Sequence, residues 1–198
     1  IQSWREVLAD YPVLERAPKV QPGPNEKLEV LTISDMAYQH MKAGGYEDSL
    51  RSFNKALSLD PDSKVALFGR GTVYLKLGRE QEAVADLEKV RAMYPKEYAI
   101  KNNLSFVYAT SQDPAIRNPD RALELAQEAL LMVPESYHVW HTVSEAHFAA
   151  GRYDKSLRAA QEALRLARTF RISPAQLVEY EQQLTKCREA AGVFSTFN

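Results

Sequence analysis

The sequence predicts an all-α fold in which helical hairpins stack side by side. Three observations carry this expectation. The phrase "GGYEDSLRSFNKALSLDP", beginning at Gly44, returns as "AGRYDKSLRAAQEALRLA", beginning at Ala150. Pro61, Pro95 and Pro134 each close an apolar-periodic stretch, at intervals of 34 and 39 residues. Within each interval the apolar positions recur at i, i+3 or i+4, stop at a turn residue, and resume. A period of this size marks a repeat architecture, because a lone hairpin cannot bury both of its apolar faces.

Composition narrows the function classes. Twenty-five Lys and Arg stand against 26 Asp and Glu, a net charge of −1. Such a balance disfavours a general grip on nucleic acid or anionic lipid. No apolar run approaches the roughly 18 residues of a membrane span, so no membrane insertion is expected. One Cys rules out an internal disulfide. The chain begins at Ile1 without an apolar leader and reads as a trimmed or mature fragment of a soluble protein. The compartment, cytoplasmic or periplasmic, stays open.

The elements follow in order. Residues 1–26 read as an N-terminal arm. A short helix could carry Trp4, Val7 and Leu8, and Pro18, Pro22 and Pro24 then favour an extended, semi-rigid linker. Four hairpin units follow at about 30–63, 64–97, 98–136 and 137–170. In the second, Val65, Leu67, Phe68, Val73, Tyr74 and Leu77 mark one helix, which Gly78 ends. Ala83, Val84, Leu87, Val90 and Met93 mark the next, which Pro95 ends. The third unit replaces the glycine turn with "TSQDPAIRNPD", which accounts for its five extra residues. The last stretch, 171–198, opens with Ser173, Pro174 and Gln176 as a capping box. Its narrow stripe of Leu177, Tyr180, Leu184, Cys187 and Ala191 suits a helix that caps the stack.

Small residues recur where paired helices must approach closely. Ala37, Gly71, Ser105 and Ser144 share a column of the first helices, and Ser49, Ala83, Ala122 and Ser156 share one of the second. With the glycine turns and closing prolines, this resembles the tetratricopeptide repeat (TPR) over roughly 140 residues. The extended third unit resembles a bacterial variant. The resemblance implies a right-handed solenoid of four hairpins with a capping helix. Arg70, where a TPR usually has Leu, and Arg168, where Pro is usual, depart from the pattern.

The resemblance also implies a concave surface lined by the first helices, where partners bind. Carrying that frame across gives Ser34, Asp35, Tyr38 and Met41, then Phe68, Gly69, Thr72 and Lys76. The third and fourth units contribute Asn102, Asn103, Phe106 and Thr110, then His138, His141, Thr142 and Glu145. Tyr38, Phe68, Thr72, Asn102, Asn103, Phe106, His138, His141 and Glu145 are the expected peptide-binding set. Aromatic rings anchor a ligand, and the Asn amides offer both a donor and an acceptor to a peptide backbone. The carboxylate clamp that holds chaperone tails does not fit. Its columns hold Ser34, Tyr38, Gly69, Ala99 and Asn103, with no cation.

No phosphate loop, nucleotide fingerprint, serine elbow or zinc-protease motif appears, so neither an enzyme nor a cofactor is expected. His138, His141 and Glu145 share one helix face, but they span about 10 Å of axis, too far for one tetrahedral ion. A metal site at His138 and His141 with help from another helix is the remote alternative. The expected function is a non-enzymatic scaffold that binds a protein or peptide segment, uncharged or mixed in charge. His138 and His141 could modulate binding between about pH 5.5 and 7. The second reading is self-association through the arm or the third-unit insert.

Overall fold

The structure, a computed structural model, describes residues 27–195; the arm expected for residues 1–26 lies outside them. The described residues form α-helices and no strand. Two compact units divide the chain, Ile1–Ile100 and Lys101–Asn198, with the division inside the first turn of α5. The first unit holds α1 (Leu28–Lys42), α2 (Tyr46–Leu59), α3 (Lys64–Lys76) and α4 (Glu80–Met93). Helix α5 (Tyr98–Thr110) leads into the second unit, with α6 (Pro119–Met132), α7 (Tyr137–Ala149), α8 (Tyr153–Thr169) and α9 (Pro174–Ser195). This is the all-α helical repeat that the periodicity predicts.

In the first unit, α1 pairs with α2 and α3 with α4. Gly44 (φ +78°) and Gly78 (φ +70°) hold the left-handed turns that end α1 and α3, a backbone that glycine adopts without steric cost. Ser63 caps α3 by accepting from the Ala66 amide. The small-residue columns meet as expected. Ser49 Oγ donates to the Ala37 carbonyl at 2.7 Å, and at Gly71 a Cβ would stand 2.9 Å from Leu87 Cγ. Gly69 is tighter still. A Cβ there would lie 2.2 Å from the Phe53 ring, so α3 rests directly on that ring.

Arg70, the departure from the usual Leu, has a local explanation. Its guanidinium forks onto Asp86 of α4, at 2.6 and 2.8 Å, and its third nitrogen donates to Asn54 of α2 at 2.8 Å. The hydrogen bonds it donates to Asp86 hold the Arg70 pKa above its ordinary value. An ionic tie between three helices replaces an apolar one.

In the second unit, Ser105 Oγ donates to the Ala122 carbonyl at 2.7 Å, joining α5 to α6. Ser144 and Ser156 exchange such bonds in both directions between α7 and α8, at 3.0 and 2.8 Å. The third-unit insert is folded by hydrogen bonds. The Ser111 hydroxyl accepts from the Asp113 amide, the Asp113 carboxylate from the Ala115 amide, and the Tyr108 carbonyl from the Asn118 amide. Asn118 then caps α6, with Pro119 in its first turn. Helix α8, without a proline stop, runs to Thr169, and the chain turns toward α9 with Arg171 at φ 52°. The Ser173–Gln176 box opens α9. Tyr180 packs there with Ala163, Leu164 and Ala167, flanked by Tyr137, Trp140, Leu177 and Leu184.

Candidate functional site

In the first unit, Ser34, Phe68 and Thr72 are fully buried and Tyr38 is half-buried. Tyr38 ties α1 to α3, its hydroxyl donating to the Val65 carbonyl at 3.2 Å and its ring meeting Phe53 edge-on at 5.1 Å. Ser34 Oγ and Thr72 Oγ1 are buried without a hydrogen-bond partner.

In the second unit, α5 presents Asn102, Asn103 and Phe106, which are 1%, 5% and 4% exposed. Asn102 Oδ1 and Asn103 Nδ2 have no hydrogen-bond partner. One is an acceptor and one a donor, on adjacent residues. The Thr110 hydroxyl bonds the Phe106 carbonyl within its own helix. Across from α5, the Phe106 ring faces His141 of α7 at 6.4 Å between centroids.

Helix α9 covers the α7 members of the predicted set. His138 Nδ1 lies 2.9 Å from the Tyr180 hydroxyl, and the His141 ring meets Tyr180 edge-on at 5.3 Å. Lys186 pairs with Glu145 at 3.0 Å and also stands over the Phe148 ring at 4.1 Å. His138, His141 and Glu145 thus engage the chain's own last helix, and α5 carries the unmatched polar groups.

Burial pushes the His141 pKa down to about 4, with Glu145 opposing the shift and Lys186 adding to it. The Glu179 carboxylate lies 3.6 Å from His141 Nε2. That is beyond hydrogen-bond reach. His141 is therefore neutral from pH 5.5 to 7, and the pH response expected of it is withdrawn. Among the described residues, no group of three or more His, Cys, Asp or Glu could hold a metal ion.

Sequence reasoning missed Gln183. It is buried in the second unit and donates from Nε2 to Ser144 Oγ at 3.1 Å. Cys187 Sγ completes the cluster, 3.4 Å from Ser144 Oγ and 3.0 Å from Ser156 Oγ. Gln183 falls between Tyr180 and Cys187 at i+3 and i+7, so its position alone was a signal of burial. A polar residue on that stripe is passed over when only apolar residues are counted.

No helix among the described residues is long and apolar enough to cross a membrane. Residues 34–98 and 115–169, more than half of the chain, match the family model described as tetratricopeptide repeat. Human peptidyl-prolyl cis-trans isomerase FKBP4 is 32% identical over 105 residues, 53% of this chain and 22% of that protein. A tetratricopeptide repeat and J domain-containing co-chaperone of Fusarium oxysporum is 34% identical over 68 residues, 34% of this chain and 13% of that protein. The chain thus spans about a fifth or less of the length of these curated relatives. A solved structure of MamA from Desulfovibrio magneticus RS-1 superposes with a TM-score of 0.62 at 16% identity, over 85% of this chain and 98% of that one, and so shares the fold. The hairpin columns, the glycine turns and the match over more than half its length place this chain in the tetratricopeptide repeat family.

Proposed function

We propose that this chain is a protein-interaction module that takes an extended peptide segment against α5. One observation carries the reading: Asn102 Oδ1 and Asn103 Nδ2 are adjacent, buried and unmatched. An acceptor beside a donor complements the N–H and C=O of a ligand backbone. A buried polar group left unmatched costs about 1–3 kcal/mol, so a ligand that satisfies both gains free energy the empty protein lacks. Phe106, beside them on α5, offers an aromatic anchor. With no cation at the clamp columns, the segment recognised is uncharged or mixed in charge rather than an acidic tail. The co-chaperone among the relatives is in keeping with a protein partner.

The test uses random 12-residue peptides displayed on phage and selected against the full chain. Binders are then measured by fluorescence anisotropy. Asn102→Leu and Asn103→Leu should each weaken them about tenfold or more, the value of one lost hydrogen bond to a buried partner. Each should leave the urea midpoint unchanged or raised, because an unsatisfied group has gone. Selected peptides that bind both variants as tightly as the native chain would reject the proposal.

A further inference from the structure

A helix that ends a repeat array in water needs a polar outer face. Helix α9 has one, with Glu181, Gln182, Thr185 and Glu189 exposed along it. Helix α1 keeps large apolar groups on its own. Val30, Ser34, Ala37 and Met41 are its buried side, and α1 packs on α2 and α3. At about 100° of turn per residue, Leu28, Thr32 and Met36 stand on the opposite side. All three are exposed. Leu28 at 80% and Met36 at 55% are the most exposed large apolar side chains described in the first unit. The charges of α1 are ordered along it. Glu29 and Asp35 come first, and His40 and Lys42 lie in its last turn. These four are exposed, and among the described residues none of them is held in an ion pair.

We propose that this face is a two-fold interface, in which α1 of one copy lies antiparallel on α1 of a second copy. An antiparallel pair sets the acidic part of each helix against the basic end of the other and opposes their dipoles. A parallel pair would set like charges together. The same crossing encloses Leu28 and Met36 of both copies and removes their apolar surface from water. One surface serves both partners, so the assembly closes as a dimer. Helix α1 has 15 residues and is about 22 Å long. A contact of that length is smaller than the roughly 800 Å² per partner of a standard interface, so the dimer is weak and forms only at high protein concentration. The inference stands on the first unit and does not depend on the α5 reading.

Sedimentation equilibrium of the full chain from about 5 to 500 μM, the range of weak association, reads the mass. It should rise from one chain toward two. Leu28→Lys with Met36→Lys should weaken the dimer about tenfold or more, with circular dichroism verifying the fold. Glu29→Lys with Asp35→Lys, and separately His40→Glu with Lys42→Glu, should each give a monomer, because like charges then meet. An equal mixture of those two variants should dimerise again. A native chain that stays monomeric throughout would overturn the proposal. So would a dimer unchanged by Leu28→Lys with Met36→Lys, because the contact would then lie elsewhere, in the arm or the third-unit insert. An equal mixture that associates no better than its parts would overturn it as well.

Discussion

Gly69→Ala puts the packing of α2 against α3 to a quantitative test. The added Cβ would stand 2.2, 2.4 and 2.9 Å from three carbons of the Phe53 ring. The ring has little freedom to move aside, because Phe53 is fully buried and the Tyr38 ring abuts it at 5.1 Å. Two effects oppose each other. Alanine in a helix interior gains about 1 kcal/mol over glycine, while overpacking a filled core costs about 1–3 kcal/mol or more. Contacts this far inside van der Waals distance belong at the upper end, so the net expectation is a loss of about 2 kcal/mol. For a chain of this size that lowers Tm by roughly 4–8 °C. Urea titration followed by circular dichroism gives the free energy. A second substitution, Phe53→Leu, removes the ring from the new methyl. The double variant should therefore be at least about 1 kcal/mol more stable than the two single losses predict. Gly192→Ala in α9, where nothing lies within 4 Å, should instead stabilise by up to about 1 kcal/mol. A Gly69→Ala protein as stable as the native one would refute the close approach of α3 to Phe53.

Two further outcomes follow from buried charge. With a folded pKa of about 4 against about 6.5 unfolded, His141 binds fewer protons in the native state. Its contribution is complete above about pH 6.5 and is lost as pH falls toward 4, about 3 kcal/mol in all. His147, also shifted down by burial, acts with the same sign. His141→Gln should flatten the denaturant midpoint between pH 6.5 and 4, and an unaltered slope would contradict the buried neutral imidazole. Arg70→Leu restores the residue usual in this family but leaves Asp86 buried without its cation. A loss of about 1–3 kcal/mol is expected, allowing for partial exposure of the pair. Adding Asp86→Leu should recover most of it in the same melt.

How far the sequence could be read depended on whether a feature was local. The turns were legible because Gly44, Gly78 and Gly151 have a backbone that glycine favours, and the Ser173–Gln176 box because its bonds span three residues. The small-residue columns were legible because helices that touch need short side chains at the crossing. The fate of the first-helix residues was not. Whether His138, His141 and Glu145 meet a ligand or α9 depends on how a helix some forty residues away docks, and no spacing encodes that. Arg70 looked like a departure in one column, and its compensation, Asp86, lies 16 residues on in another helix. The unmatched atoms of Asn102 and Asn103 became visible only when every neighbour had been placed.

The cluster of Ser144, Ser156, Gln183 and Cys187 bears on how such arrays lengthen. Here the last helix reads its predecessor through hydroxyls, like a key cut for one lock. Splicing a copy of the second hairpin in front of α9 would set Gly71 and Ala83 where Ser144 and Ser156 stand. The Gln183 amide would then face carbon alone, and the lengthened protein would end in a loosened terminus unless both serines travelled with the insertion.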